Sequence, residues 1–181
     1  MSAQADVYGA VLFTDLVGFT TYTDGFGDAA AVVVLDAQRA VAEEVLENCE
    51  EARVVKELGD GLMCWFATAR EGIRSACELM WRLEAARREQ DFPLAVRMGL
   101  HHGEAVVHGD DLIGGTVNIA SRVCDLAGPG ELLVSDAALA ACDEADRPQG
   151  LEPLGPALVK GVRDPVWLHR LDLGRQVARP Y

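Results

Sequence analysis

No apolar run in this chain approaches the roughly 20 residues needed to span a bilayer. Its start, Met1-Ser2-Ala3-Gln4-Ala5-Asp6, lacks the basic and apolar regions of a secretory signal. A cytoplasmic location is expected. Positive charge is scarce: 16 Lys and Arg stand against 29 Asp and Glu, for a formal net charge of −13. General binding to nucleic acid or to an anionic membrane needs a basic face, so neither is expected as a partner. A local basic pocket for a nucleotide is compatible with the same charge. Cysteine is sparse and unpatterned. Cys49, Cys64, Cys77, Cys124 and Cys142 are odd in number and form no CxxC pair, which reads as reduced thiols rather than a disulfide framework or a zinc site. Repeats, low-complexity segments and linkers are also missing, so the 181 residues are expected to form one domain, 1–181, with its core at about 7–171 and a frayed tail at 174–181.

What is present alternates between two periodicities. Residues 7–14 form an apolar run with strand character, ending at Asp15 and broken by Gly18. Gly25-Phe26-Gly27-Asp28 reads as a turn, with Asp28 as the N-cap of a helix whose stripe is Val34, Ala37, Val41 and Val45. Two apolar runs flank Gly59-Asp60-Gly61, a hairpin signal. Ile73, Ala76, Cys77, Met80 and Leu83 give a second helix its buried stripe. A long strand follows, Leu94 to Val107, in which the adjacent His101 and His102 point to opposite faces and so cannot chelate one metal together. The stretch His108-Gly109-Asp110-Asp111 reads as a loop before a helix from Thr116 to about Leu126, on which Asn118 and Arg122 share a face. A short strand, Glu131 to Val134, leads to a helix capped by Ser135 and then to a mobile loop, Asp143 to Pro148. Strands near Leu151–Leu154 and Val166–Leu171 bracket Val159-Lys160-Gly161.

Two carboxylates therefore stand at corners, Asp15 at a strand end and Asp60 in a hairpin turn. If their strands are neighbours, both face one point. Two charges about 4 Å apart repel by roughly 4 kcal/mol at an effective dielectric near 20, so a cation between them is favoured. Mg²⁺ suits carboxylates that share it with substrate phosphates, and two such ions clamp an in-line phosphoryl displacement. The backbone N–H groups that open a helix after Gly18, those of Phe19 and Thr20, are placed to take phosphate oxygens.

Three segments carry a resemblance. Phe13-Thr14-Asp15-Leu16-Val17-Gly18-Phe19-Thr20, Lys56-Glu57-Leu58-Gly59-Asp60-Gly61 and Asp111-Leu112-Ile113-Gly114-Gly115-Thr116-Val117-Asn118-Ile119-Ala120-Ser121-Arg122 resemble, in order, the signature segments of the class III nucleotidyl cyclases. The likeness runs from about Val7 to Leu171. It implies an α/β (α+β) fold: a ferredoxin-like βαββαβ core, a mostly antiparallel sheet with helices on one face, and added C-terminal strands. It implies an adenylate cyclase, turning ATP into 3′,5′-cyclic AMP and pyrophosphate. Asp15, Asp60 and the Leu16 carbonyl would hold two divalent cations, Mg²⁺ or Mn²⁺. Lys56 and Asp111 match the pair that recognises adenine, Asn118 would orient the ribose, and Arg122 would stabilise charge at the α-phosphate. Lys160 matches a lysine for the terminal phosphates. The family's sites form between two catalytic domains, and this chain carries both sets of residues, so a homodimer with two equivalent sites is implied. A catalytically silent, cyclase-like binding module and a guanylate cyclase are the alternatives. Either a stand-alone cyclase or the catalytic part of something larger, with a regulatory domain or activator elsewhere, fits the sequence.

Overall fold

The computed structural model describes residues 6–173. The elements, in chain order, are β1 (Asp6–Leu16), α1 (Phe19–Phe26), α2 (Asp28–Leu46), β2 (Ala52–Leu58), β3 (Gly61–Phe66), α3 (Ala69–Arg88), β4 (Val96–His108), β5 (Asp111–Ile113), α4 (Gly115–Leu126), β6 (Glu131–Ser135), α5 (Asp136–Ala140), β7 (Glu152–Ala157) and β8 (Val166–Asp172). The expected frayed tail, 174–181, lies outside the described residues.

The strands join in one sheet in the order β2-β3-β1-β4-β6-β8-β7, with β5 folded back onto β4. The first four strands have the ferredoxin-like order, and every pairing is antiparallel except β4 with β6. β1 and β3 are central and covered on both faces, which explains near-continuous apolar runs in place of alternation.

Most of the helical layer lies on one face, as expected. There α2, α3 and α5 bury Val34, Ala42, Ile73, Met80, Leu83 and Ala138 against Leu12, Leu16, Phe66, Met98 and Leu100. The exception is α4, which crosses the opposite face over Val11, Phe13, Met63 and Trp65. A glycine makes that crossing possible. A Cβ at Gly99 of β4 would lie 2.1 Å from the backbone nitrogen of Cys124, so only glycine lets the helix rest on the strand.

Three local expectations change. Asp28 is not the N-cap but the first residue of α2, where its carboxylate meets the positive helix end; Gly27 caps. Asp111 lies not in a loop but on β5, because Gly109-Asp110 closes a tight hairpin that pairs His108 with Asp111. The segment after α5 is pinned rather than loose: Asp146 pairs with Arg70 at 3.1 Å, and Arg147 donates to the Leu139 carbonyl. The cysteines are free thiols, all buried except half-buried Cys49, and burial pushes those of Cys64 and Cys124 up to about 12.

Candidate active site

The strand register assembles the site on the face that α4 crosses. Lys56 pairs with Met63, Met63 with Phe13 and Phe13 with Gly99, which gives one row across four strands. Asp15 lies two residues along β1 from Phe13 and so shares its face. Next to it across the strands stands Arg97, whose Nε donates to Asp15 Oδ2 at 2.7 Å. The β2–β3 turn, residues Gly59 and Asp60, projects at the same end of the sheet.

The two carboxylates expected to hold metal stand at one end of the sheet, close enough for the Asp15 charge to act on Asp60. Burial is the main cause that raises the Asp60 pKa, and the charge of Asp15 adds to it. The backbone N–H groups of Asp60 itself and of Leu16, then Arg97, offset part of the rise. Leu16 buries its side chain in the core, so only its backbone serves the corner. Two carboxylates, hard oxygen donors alone, fit Mg²⁺ or Mn²⁺ and not a soft metal.

Just past that corner, Gly18 adopts a φ of 81° and caps α1 without a side-chain hydrogen bond. The first N–H groups of α1, at Phe19 and Thr20, therefore point beyond the helix with no side-chain acceptor from the cap.

Lys56 and Asp111 also come together. The lysine Nζ lies 2.6 Å from Asp111 Oδ2, although β2 and β5 are not ladder neighbours. This hydrogen bond, with a further one from the Leu112 N–H, holds the Asp111 carboxyl below its ordinary range. A second tie runs alongside, from Arg53 Nη1 to the Asp110 carbonyl at 2.8 Å.

The third group stands apart. Asn118, Arg122 and Lys160 line one open cleft of about 540 Å³, with Gly161 and Arg163 at its other wall. Neither Asp15, Asp60, Lys56 nor Asp111 lines it. Arg122 is half-exposed, and its Nη1 pairs with Asp125 Oδ2 at 3.1 Å. Within one chain the expected residues thus fall into two groups, Asp15, Asp60, Lys56 and Asp111 in one and Asn118, Arg122 and Lys160 in the other.

Sequence reasoning missed Arg97. Its own Nη1 reaches the Asp125 carbonyl at 3.2 Å, so it bridges Asp15 to the end of α4. A lone cation inside an apolar strand was the available signal. Its meaning depended on the β1–β4 register, which the sequence does not display.

Residues 2–172 match the family model for the adenylate and guanylate cyclase catalytic domain. The chain belongs to this family. As a cyclase catalytic domain, it is similar to the pH-sensitive adenylate cyclase of Mycobacterium tuberculosis, at 30% identity over 91% of this chain and 40% of that protein. It is similar too to an adenylate cyclase of Streptomyces griseus, at 32% identity over 70% of this chain and 31% of the relative. The chain thus spans about two fifths or less of these relatives. Its fold matches the crystal structure of the adenylyl cyclase CyaB of P. aeruginosa, with TM-score 0.81, 20% identity and 99% of both chains covered. Among the described residues no helix is long and apolar enough to cross a membrane.

Proposed function

We propose that this cyclase catalytic domain makes 3′,5′-cyclic AMP and pyrophosphate from ATP, at two sites shared across a homodimer. The observation that carries the reading is the Lys56–Asp111 pair, held at 2.6 Å on the sheet face that also bears Asp15. Adenine presents an acceptor at N1 and a donor at its 6-amino group. Lys56 donates to the first and Asp111 accepts from the second, each exchanging its present partner for the base. Guanine reverses that pattern and leaves both side chains mispaired.

In the reaction the ribose 3′-hydroxyl loses its proton to water as its oxygen forms a bond to the α-phosphorus, and the bond from that phosphorus to the α,β-bridging oxygen breaks, releasing pyrophosphate. The protein's task is positioning and charge neutralisation. Asn118 orients the ribose. Arg122 leaves Asp125 and presents its planar fork to the α-phosphate oxygens. Lys160 takes the terminal phosphates, with the N–H groups of Phe19 and Thr20 after Gly18. Two Mg²⁺ or Mn²⁺ ions held by Asp15, Asp60 and the Leu16 carbonyl would lower the pKa of the 3′-hydroxyl and neutralise the triphosphate. Arg97 supplies Asp15 with a positive neighbour.

The separation of the two groups within one chain supports the shared site. A second copy brings Asn118, Arg122 and Lys160 to the first copy's aspartates, and symmetry gives two equivalent sites. The test is cyclic nucleotide formed from ATP and, separately, from GTP, with Mg²⁺ or Mn²⁺ over a range of protein concentrations. The account expects cyclic AMP, at a rate per protomer that rises with concentration. Cyclic GMP as the main product, or no product from folded protein with Mn²⁺, overturns it.

A further inference from the structure

The buried stripe of α2 is Ala31, Val34, Gln38, Ala42, Val45 and Leu46. One member is polar. Gln38 is 1% exposed and sits on a stripe otherwise made of hydrocarbon. A buried amide without partners is costly, so its contacts indicate its use. Its Nε2 donates to Thr14 Oγ1 at 2.8 Å, and the same oxygen accepts the Leu62 N–H at 3.0 Å. Thr14, only 3% exposed, is thereby joined to α2 and to β3 at once.

The position of this junction gives it meaning. The β1–β3 ladder runs from Ala10 opposite Phe66 to Phe13 opposite Met63 and stops there. At the next position the Thr14 hydroxyl, not a backbone carbonyl, receives the Leu62 N–H. The chains also approach closely here: a Cβ at Gly61 would lie 2.2 Å from the Thr14 carbonyl oxygen. Asp15 follows Thr14, and Asp60 precedes Gly61. The side-chain rung thus lies at the end of the β1–β3 ladder, one residue from Asp15 and two from Asp60 along the chain.

We propose that Gln38, acting through Thr14, is a positioning residue for the cation site. It holds the Thr14 hydroxyl under the Leu62 N–H and so fixes the spacing of Asp15 and Asp60. The inference rests on the reading of those two aspartates as cation ligands. Gln38 touches neither cation nor substrate; its effect passes through the hydroxyl of Thr14.

The test is the affinity of the purified protein for Mn²⁺ alone, titrated by the electron paramagnetic resonance of the free ion. Gln38→Met keeps the length and volume of the side chain and removes the hydrogen bond. It is expected to weaken Mn²⁺ binding by about tenfold or more, the scale of one lost buried hydrogen bond, and to raise the Mn²⁺ needed for half-maximal activity in step. The KM for ATP at saturating Mn²⁺ should stay near wild type. Thr14→Ser keeps the hydroxyl and is expected to bind Mn²⁺ as wild type does. Ile73→Val, elsewhere in the same core, lowers stability without moving Mn²⁺ affinity, which separates positioning from general loosening. Should Gln38→Met not fold, Thr14→Val removes the same acceptor and is read in the same way. Equal Mn²⁺ occupancy in wild type and variant, at any level including none, overturns the inference. Its failure is distinguishable from failure of the functional reading: cyclic AMP with unchanged Mn²⁺ affinity sinks only the former, and a tenfold affinity loss without cyclic AMP in wild type sinks only the latter.

Discussion

Lys56 Nζ lies 2.6 Å from Asp111 Oδ2, joining two strands that share no ladder. The contact is preorganised and only partly screened, with each side chain 35% exposed. In the proposed function this pair selects the base by complementary hydrogen bonding. Lys56→Glu places two carboxylates together and removes the donor to N1. It is expected to lower kcat/KM for ATP by roughly 10- to 100-fold and to narrow the preference for ATP over GTP. Parallel kinetics with the two nucleotides check this. An unchanged ratio would show that base choice lies elsewhere.

Gly99 is where α4 rests on the sheet. Gly99→Ala sets a methyl 2.1 Å from the Cys124 nitrogen, a backbone atom that cannot move without the whole helix. The cost is expected to be about 2–4 kcal/mol, toward the upper end of overpacking. Because α4 carries Asn118 and Arg122, activity should fall further than stability alone requires. Urea unfolding and turnover of the same preparation measure both.

Acid should destabilise the domain through the paired histidines of β4. Burial, then the neighbouring charge of His102, lowers the His101 pKa to about 4, and burial lowers that of His102 as well. A folded-state pKa below the ordinary 6.5 means that the unfolded chain binds protons first as pH falls. Stability is therefore full above about 6.5 and is lost as pH drops toward 4, by up to about 3 kcal/mol for His101. His101→Asn is expected to flatten the part of this slope that His101 supplies, while losing the tie from Nδ1 to Ser135 Oγ at 2.8 Å. Unfolding free energies at pH 7 and pH 5 for both proteins decide the matter.

Much of this was legible in the residues. The stripe Ile73, Ala76, Cys77, Met80 and Leu83 is buried as its spacing required, and the hairpin closes at Gly59-Asp60. Local signals of this kind depend on neighbours in the chain. The chemistry-bearing residues could be selected one by one, yet their grouping could not, since it follows from pairings between distant strands. Arg97 gained its role from lying opposite Asp15, 82 positions away. Gln38 is similar: a glutamine among valines and alanines reads as an imperfection until the Thr14 hydroxyl is seen 2.8 Å away. The side of the sheet taken by α4 was likewise hidden, because its amphipathic pattern is the same on either face.

The most direct test of the shared site mixes two inactive chains. Asp15→Ala removes a proposed cation ligand and leaves Arg122 intact. Arg122→Ala removes the proposed α-phosphate contact, with an expected loss in kcat of about 100- to 1,000-fold, and leaves the aspartates intact. If each site takes its aspartates from one copy and its arginine from the other, every mixed dimer holds one complete site and one doubly damaged site. Half of the dimers in an equal mixture are mixed, so about a quarter of wild-type cyclic AMP production should return. A mixture no more active than its folded, dimeric components would contradict the account, and so would full activity from a wild-type monomer.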